Sequence, residues 1–273
     1  MRTSRPFAPF RIKSLVLSTV LLAIALTALG PLSAFAAPLK VVTSIKPVQA
    51  LVKAVMGNLG DPELVIQATA SPHLLTLKPS QAKMLEDADV VFWIGPQLET
   101  ALSGPLEKIA TSAEVVELLK TSRVRRLNYS TEEPEQDHNG VDPHIWLSPS
   151  NARILISHIA EVLSQLDPAN ADEYAKNATQ ARKHMSSLSR NTMRYVAAMR
   201  YTPYLVQHDG FGYLALEFGL NQVGHIQTTP GREPGAKHVS DIIELIKSKE
   251  VKCLLHEPQF PPKMAQRLQA QTG

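Results

Sequence analysis

Short apolar runs recur along this chain with room for one helix between each pair. That rhythm limits the possible folds more than any other feature. The runs Lys40–Ile45, Leu64–Ala68, Asp89–Ile94 and Glu114–Leu118 read as strands. Helical patterns over 47–56, 79–87 and 97–110 separate them. Strands alternating with helices of about ten residues predict parallel βα units. The same rhythm returns later, with strands over 202–207, 221–226 and 251–255 and helices over 239–247 and 262–271. Between the two series lie two helical stretches. The first opens at Ser148-Pro149, a cap residue followed by a proline suited to a first turn, and carries an apolar face of Leu155, Ile159, Val162, Leu163 and Leu166. The second covers 168–200 with no internal proline or glycine. At 1.5 Å per residue it would span about 50 Å, enough to bridge two lobes. The predicted class is α/β: two lobes, each with a mostly parallel sheet flanked by helices, joined by one long backbone helix. The predicted boundaries are 37–167 for the N-terminal lobe, 168–200 for the linking helix and 201–273 for an incomplete C-terminal lobe.

The first residues do not belong to that pattern. Arg2, Arg5, Arg11 and Lys13 precede an apolar run from Leu15 to Leu29, and Ala34-Phe35-Ala36 follows. A basic start, an apolar centre and a small-x-small site make a secretory signal peptide over 1–36, cleaved after Ala36. The apolar run is too short to span a bilayer comfortably. Exposure to an oxidising compartment makes the single cysteine, Cys253, unusual. It reads either as a buried thiol or as one whose partner lies outside this chain. The full chain carries 28 basic and 25 acidic residues, and four of the basic ones are in the leader. The remainder is nearly neutral, which argues against a nucleic-acid or membrane-surface protein.

Three histidines stand in comparable settings: His73 after Ser71-Pro72, His144 within Val141-Asp142-Pro143-His144-Ile145-Trp146, and His208 at the end of an apolar strand and before Asp209-Gly210. In open parallel sheets ligands bind beyond the carboxyl ends of strands, where His73 and His208 are expected. A cleft between two lobes would bring them together, with His144 supplied by the connection. Neutral imidazoles suit zinc, copper, iron and nickel, and three of them make a strong site. Taken singly, each histidine is better explained by packing. Asp142 and Asp209 adjoin two of them and could orient the rings or cap helices. Glu257, before Pro258, is a further candidate as a fourth ligand. His158 and His184 lie on helices and carry less weight. Residues 121–141, with Glu132, Glu133, Glu135, Asp137 and His138, form a polar loop, better read as solvated than as a cation trap. Pro230 to Gly235 is too irregular for a phosphate loop, and no Gly-x-Ser-x-Gly or His-Glu-x-x-His pattern is present.

From about Leu39 onward the chain resembles the metal-binding solute receptors of bacterial ABC importers, in their zinc-specific ZnuA-like branch. The segments that carry the resemblance are Ser71-Pro72-His73 with Leu77-Lys78-Pro79-Ser80, Ala88-Asp89-Val90-Val91, Trp93-Ile94-Gly95-Pro96, Asp142-Pro143-His144-Ile145-Trp146-Leu147-Ser148-Pro149, Gln207-His208-Asp209-Gly210-Phe211-Gly212-Tyr213 and Glu257-Pro258-Gln259-Phe260. The resemblance implies metal in the interlobe cleft and His73, His144 and His208 as its ligands. Related manganese receptors carry a glutamate at the third position, so His208 implies zinc. Pro72 stands where some zinc receptors have a glutamate, and the polar loop is shorter than theirs. Relatives also continue beyond the position of Gly273 with another strand and a helix, and many carry there a cysteine that pairs with the equivalent of Cys253.

These readings predict an exported, monomeric, non-enzymatic receptor that carries Zn²⁺ to the membrane permease of an ABC importer. A manganese or iron receptor of the same fold is the main alternative. A three-histidine zinc hydrolase with Glu257 as its base is the second.

Overall fold

Burial on both faces explains why the first strands read as unbroken apolar runs. In the computed structural model, which describes Met1 and residues 38–128, 140–227 and 233–273, β1 (Val41–Thr43), β2 (Glu63–Leu64), β3 (Val90–Trp93) and β4 (Glu114–Glu117) form one parallel sheet in the order β2-β1-β3-β4. Every residue of β1 and β3 is buried. The expected strand over 64–68 is shorter in the ladder. Val65 and Ile66 nevertheless still donate their N–H groups to Thr43 O and Ser44 O at 2.9 Å. Helices α1 (Lys46–Met56), α2 (Pro79–Glu86) and α3 (Thr100–Lys108) alternate with these strands, α1 burying Val48, Leu51, Val52 and Val55. The leader and the acidic cluster of the polar loop lie outside the described residues. Residues Pro38–Gly273 form one compact unit. Among the described residues no helix is long and apolar enough to cross a membrane.

One buried carboxyl ties the ends of two of these strands together. Glu99 accepts hydrogen bonds from Ser44 Oγ at 2.5 Å, Gly95 N at 3.0 Å and Ile94 N at 3.3 Å. Those donors follow β1 and β3, so Glu99 fixes the loops at the carboxyl edge of the sheet. Its removal from water outweighs the three donors and pushes the carboxyl up to about 7.

The polar loop is bracketed by an antiparallel pair, β5 (Leu127–Asn128) with β6 (Val141–Asp142). Helix α4 (Pro149–Leu166) then starts at a true cap, where Ser148 Oγ accepts from Asn151 N at 3.1 Å. The long helix α5 covers Ala171–Val196, 26 residues or about 39 Å. It is shorter than the sequence suggested because 3-10 turns, Pro168–Asn170 and Ala197–Met199, take up both ends. Its first half packs on α1 and α4: Tyr174 and Ala178 are buried, and Asn177 Nδ2 donates to Val55 O at 3.0 Å. The apolar face stops being covered after Met185, and Leu188 is 46 % exposed.

The second sheet has the order β8-β7-β9, all parallel, from β7 (Tyr204–His208), β8 (Gln222–Gln227) and β9 (Cys253–Leu255). All five residues of β7 are buried. Between β7 and β8 lies a helix the sequence reading did not anticipate, α6 (Gly212–Phe218). Helices α7 (Ala236–Ser248) and α8 (Lys263–Thr272) complete this half. Its core of Leu205, Ile226, Val239, Ile242, Ile246, Met264 and Leu268 is separate from that of the first half. Cys253 is exposed, so the buried-thiol reading is wrong. Its strand is apolar in composition but sits at the sheet margin, where one side is left uncovered.

Candidate metal centre

Three different backbone devices deliver the three histidines to one place. His208 is the last residue of β7, and its ladder ends beside Gln227 of β8. His144 follows β6 through Pro143 and opens a 3-10 turn, Ile145–Leu147. His73 sits in another 3-10 turn, Pro72–Leu74, in the connection after β2. The ring centroids lie 5.6 Å apart for His73 and His144, 5.8 Å for His73 and His208, and 5.0 Å for His144 and His208. One nitrogen from each ring falls within 4.8 Å of the others. His144 and His208 are buried and His73 is half-buried.

Two carboxylates fix how the buried rings face. Asp142 Oδ1 lies 2.7 Å from His144 Nδ1 and also accepts the backbone N–H of His144 at 2.9 Å. Glu257 Oε2 lies 2.6 Å from His208 Nδ1. An ionised carboxylate only accepts, so each Nδ1 carries its proton and each Nε2 presents a lone pair. The two Nε2 atoms meet at 3.2 Å. Zinc binds imidazole nitrogen at about 2.0–2.1 Å in tetrahedral geometry, which sets neighbouring nitrogens about 3.3–3.4 Å apart. The donor set and its spacing therefore fit a zinc ion held between the rings.

The other candidates are sorted by the same geometry. Glu257 contacts the ring nitrogen of His208 opposite the one that faces His144. It lies at the back of the ring rather than among the converging nitrogens. Asp142 does orient a histidine, whereas Asp209 Oδ1 accepts from Gln222 Nε2 at 3.3 Å. His158 Nδ1 is 3.7 Å from Glu161 on the surface of α4. His184 and His256 are exposed. His225 and His238 face each other in the second half, with ring centroids 6.2 Å apart.

Gly210 was given no role by the sequence, yet it shapes the site. A Cβ there would lie 2.5 Å from His208 Nε2 and 3.1 Å from His144 Nε2. Only glycine leaves the space in front of both nitrogens clear. Beside the cluster is a cavity of about 440 Å³, walled mainly by apolar side chains including Ile45, Ile66, Trp146 and Phe211. Such walls lower the local dielectric and strengthen the attraction between a cation and the polarised imidazoles.

A family model described as ZnuA, zinc-uptake complex component A, periplasmic, matches residues 41–273. The high-affinity zinc uptake system protein ZnuA of Brucella abortus is 32 % identical, over 85 % of this chain and 82 % of that one. The protein of the same name from Paracoccus denitrificans is 32 % identical, over 82 % of this chain and 78 % of that one. Among solved structures, a Zn(II)-bound variant of AdcAII from Streptococcus pneumoniae superposes with a TM-score of 0.75 at 30 % identity, covering 86 % of each chain. A crystal structure of ZnuA gives 0.76 at 23 % identity over 86 % of this chain and 88 % of that one, a likeness of fold. With nearly all of its described length matched by the model, this chain belongs to the family of periplasmic zinc-uptake components, ZnuA.

Proposed function

We propose that this chain is a periplasmic receptor that captures Zn²⁺ with His73, His144 and His208 and delivers it to the membrane permease of an ABC importer. The observation that carries this reading is the pair of Nε2 lone pairs converging at 3.2 Å, each ring held from behind by a carboxylate. Family membership and the zinc named for the relatives support it. Export follows from the leader over 1–36, and the receptor works as a monomer without nucleic acid. The ion is cargo: it is bound and released, and no bond in a substrate is made or broken. An all-imidazole set favours zinc over manganese, which suits carboxylate and carbonyl oxygens.

Competition titration tests the assignment. Protein freed of metal and offered equal Zn²⁺ and Mn²⁺ should take up zinc at one per chain. A preference for Mn²⁺ would refute the metal assignment. Hydrolytic turnover by the zinc-loaded protein, lost in Glu257→Ala, would refute the receptor reading.

A further inference from the structure

We propose that α6 is a clamp that sets the separation of His144 and His208 before metal arrives, with Tyr213 and Glu217 as positioning residues. The helix starts four residues after His208, beyond a tight turn in which Gly210 N donates to His208 O at 2.8 Å. Its position is therefore coupled to the end of β7. From there it reaches across to the other half of the molecule at two points, one on each side of His144.

The first point is Tyr213, only 2 % exposed. Its Oη donates to Asp142 O at 2.8 Å and accepts from Leu127 N at 2.9 Å. Leu127 and Asp142 are partners in the β5–β6 pair, so one phenol closes onto both strands. Asp142 is also the residue whose carboxylate holds the His144 ring. The second point is Glu217, whose carboxylate accepts from Ser148 Oγ at 2.8 Å and from Ser150 Oγ at 2.5 Å. Ser148 caps α4, so this contact holds the exit of the turn that His144 opens. Helix α6 also packs on that turn. Gly212 belongs to the same fit, since a Cβ there would already touch Asp142 Oδ2 at 3.4 Å.

His144 is thus anchored two residues upstream and four residues downstream to the helix that follows His208. A bound ion fixes its ligands within a few tenths of an ångström, and a site whose supports are rigid loses less freedom on binding. The clamp performs that ordering in advance, so zinc binding needs little relative motion of the two halves.

The zinc readout of this proposal rests on the ligand assignment above, so the test includes one readout without metal. Tyr213→Phe deletes a single hydroxyl and Glu217→Gln a single charge, both in the full chain. Zinc affinity, measured by competition with a chelator, should fall about tenfold in each, the lower end of what loss of a ligand's supporting contacts costs. In a His144→Ala background the effect of Tyr213→Phe should shrink below twofold, because the phenol acts through His144. A general loss of stability would persist there. In metal-free protein the ring ¹⁵N resonances of His144 and His208 should shift in Tyr213→Phe. Affinity within twofold of the parent in both variants with unmoved ring resonances overturns the clamp, as does an undiminished loss in the His144→Ala background. If Tyr213→Phe does not fold, Glu217→Gln decides by the same affinity limits and ring resonances. A parent chain that binds no zinc would sink the ligand assignment, while the metal-free resonances would still judge the clamp.

Discussion

His144 Nε2 and His208 Nε2 face each other across 3.2 Å with both opposite nitrogens committed to carboxylates. Two neutral imidazoles so arranged repel through their lone pairs, and a cation between them turns that repulsion into attraction. On the proposed assignment, replacing the His144 ring by alanine removes a ligand and leaves Asp142 Oδ1 with only the backbone N–H at that position. His144→Ala should weaken zinc binding by well over the ~10–100-fold typical of losing a supporting contact. An unchanged dissociation constant by calorimetry would exclude His144 as a ligand.

Gly210 keeps open the space that the nitrogens share. In Gly210→Ala a methyl would sit 2.5 Å from His208 Nε2, so the ring or the turn must give way. Zinc affinity should drop at least about tenfold, comparable to disturbing a ligand's support. Zinc titrations on the folded variant check this, and parental affinity would contradict the assignment.

Glu257 offers a test that separates ligand from support. Its carboxylate acts on the far nitrogen of His208, so Glu257→Gln retains an acceptor and loses only charge. Affinity should fall about tenfold and the metal should keep the same nitrogen donors, as read by X-ray absorption. A lost oxygen donor in the variant's spectrum would make Glu257 a direct ligand.

Glu99 predicts a pH dependence of folding unrelated to metal. Its carboxyl titrates at about 7 in the folded chain against an ordinary 4.5. At low pH both states hold the proton and folding is fully favoured. As pH rises from about 4.5 to about 7, the unfolded chain releases the proton first, so stability declines by a few kcal/mol and then levels off. Glu99→Gln should flatten that decline. Urea midpoints of metal-free protein at pH 5, 6, 7 and 8 check it. Equal slopes for parent and variant would contradict the assignment.

Much of this was legible in the chain itself because burial writes a strong signal. The apolar stretches that make up most of β1, β3 and β7 mark strands covered on both faces, and the histidines at or after strand ends fall where such sheets hold ligands. The hidden parts depend on side-chain direction or on contacts distant in sequence. Asp142 and Asp209 look alike as neighbours of histidines, yet Asp142 turns back onto the His144 ring while Asp209 takes a hydrogen bond from Gln222 of the next strand. Glu257 reaches His208 across 49 residues, and Tyr213 reaches Asp142 across 71. Helix α6, seven residues long, is too short for apolar periodicity to announce it. Gly210 betrays little locally, because one of the two rings it makes room for, His144, comes from elsewhere in the chain.

The most direct test of the zinc assignment is anomalous diffraction at the zinc edge from crystals grown with one equivalent of Zn²⁺. A single strong peak about 2.0–2.1 Å from one ring nitrogen each of His73, His144 and His208 is the predicted result. A peak elsewhere, with these three rings empty of metal, would contradict it.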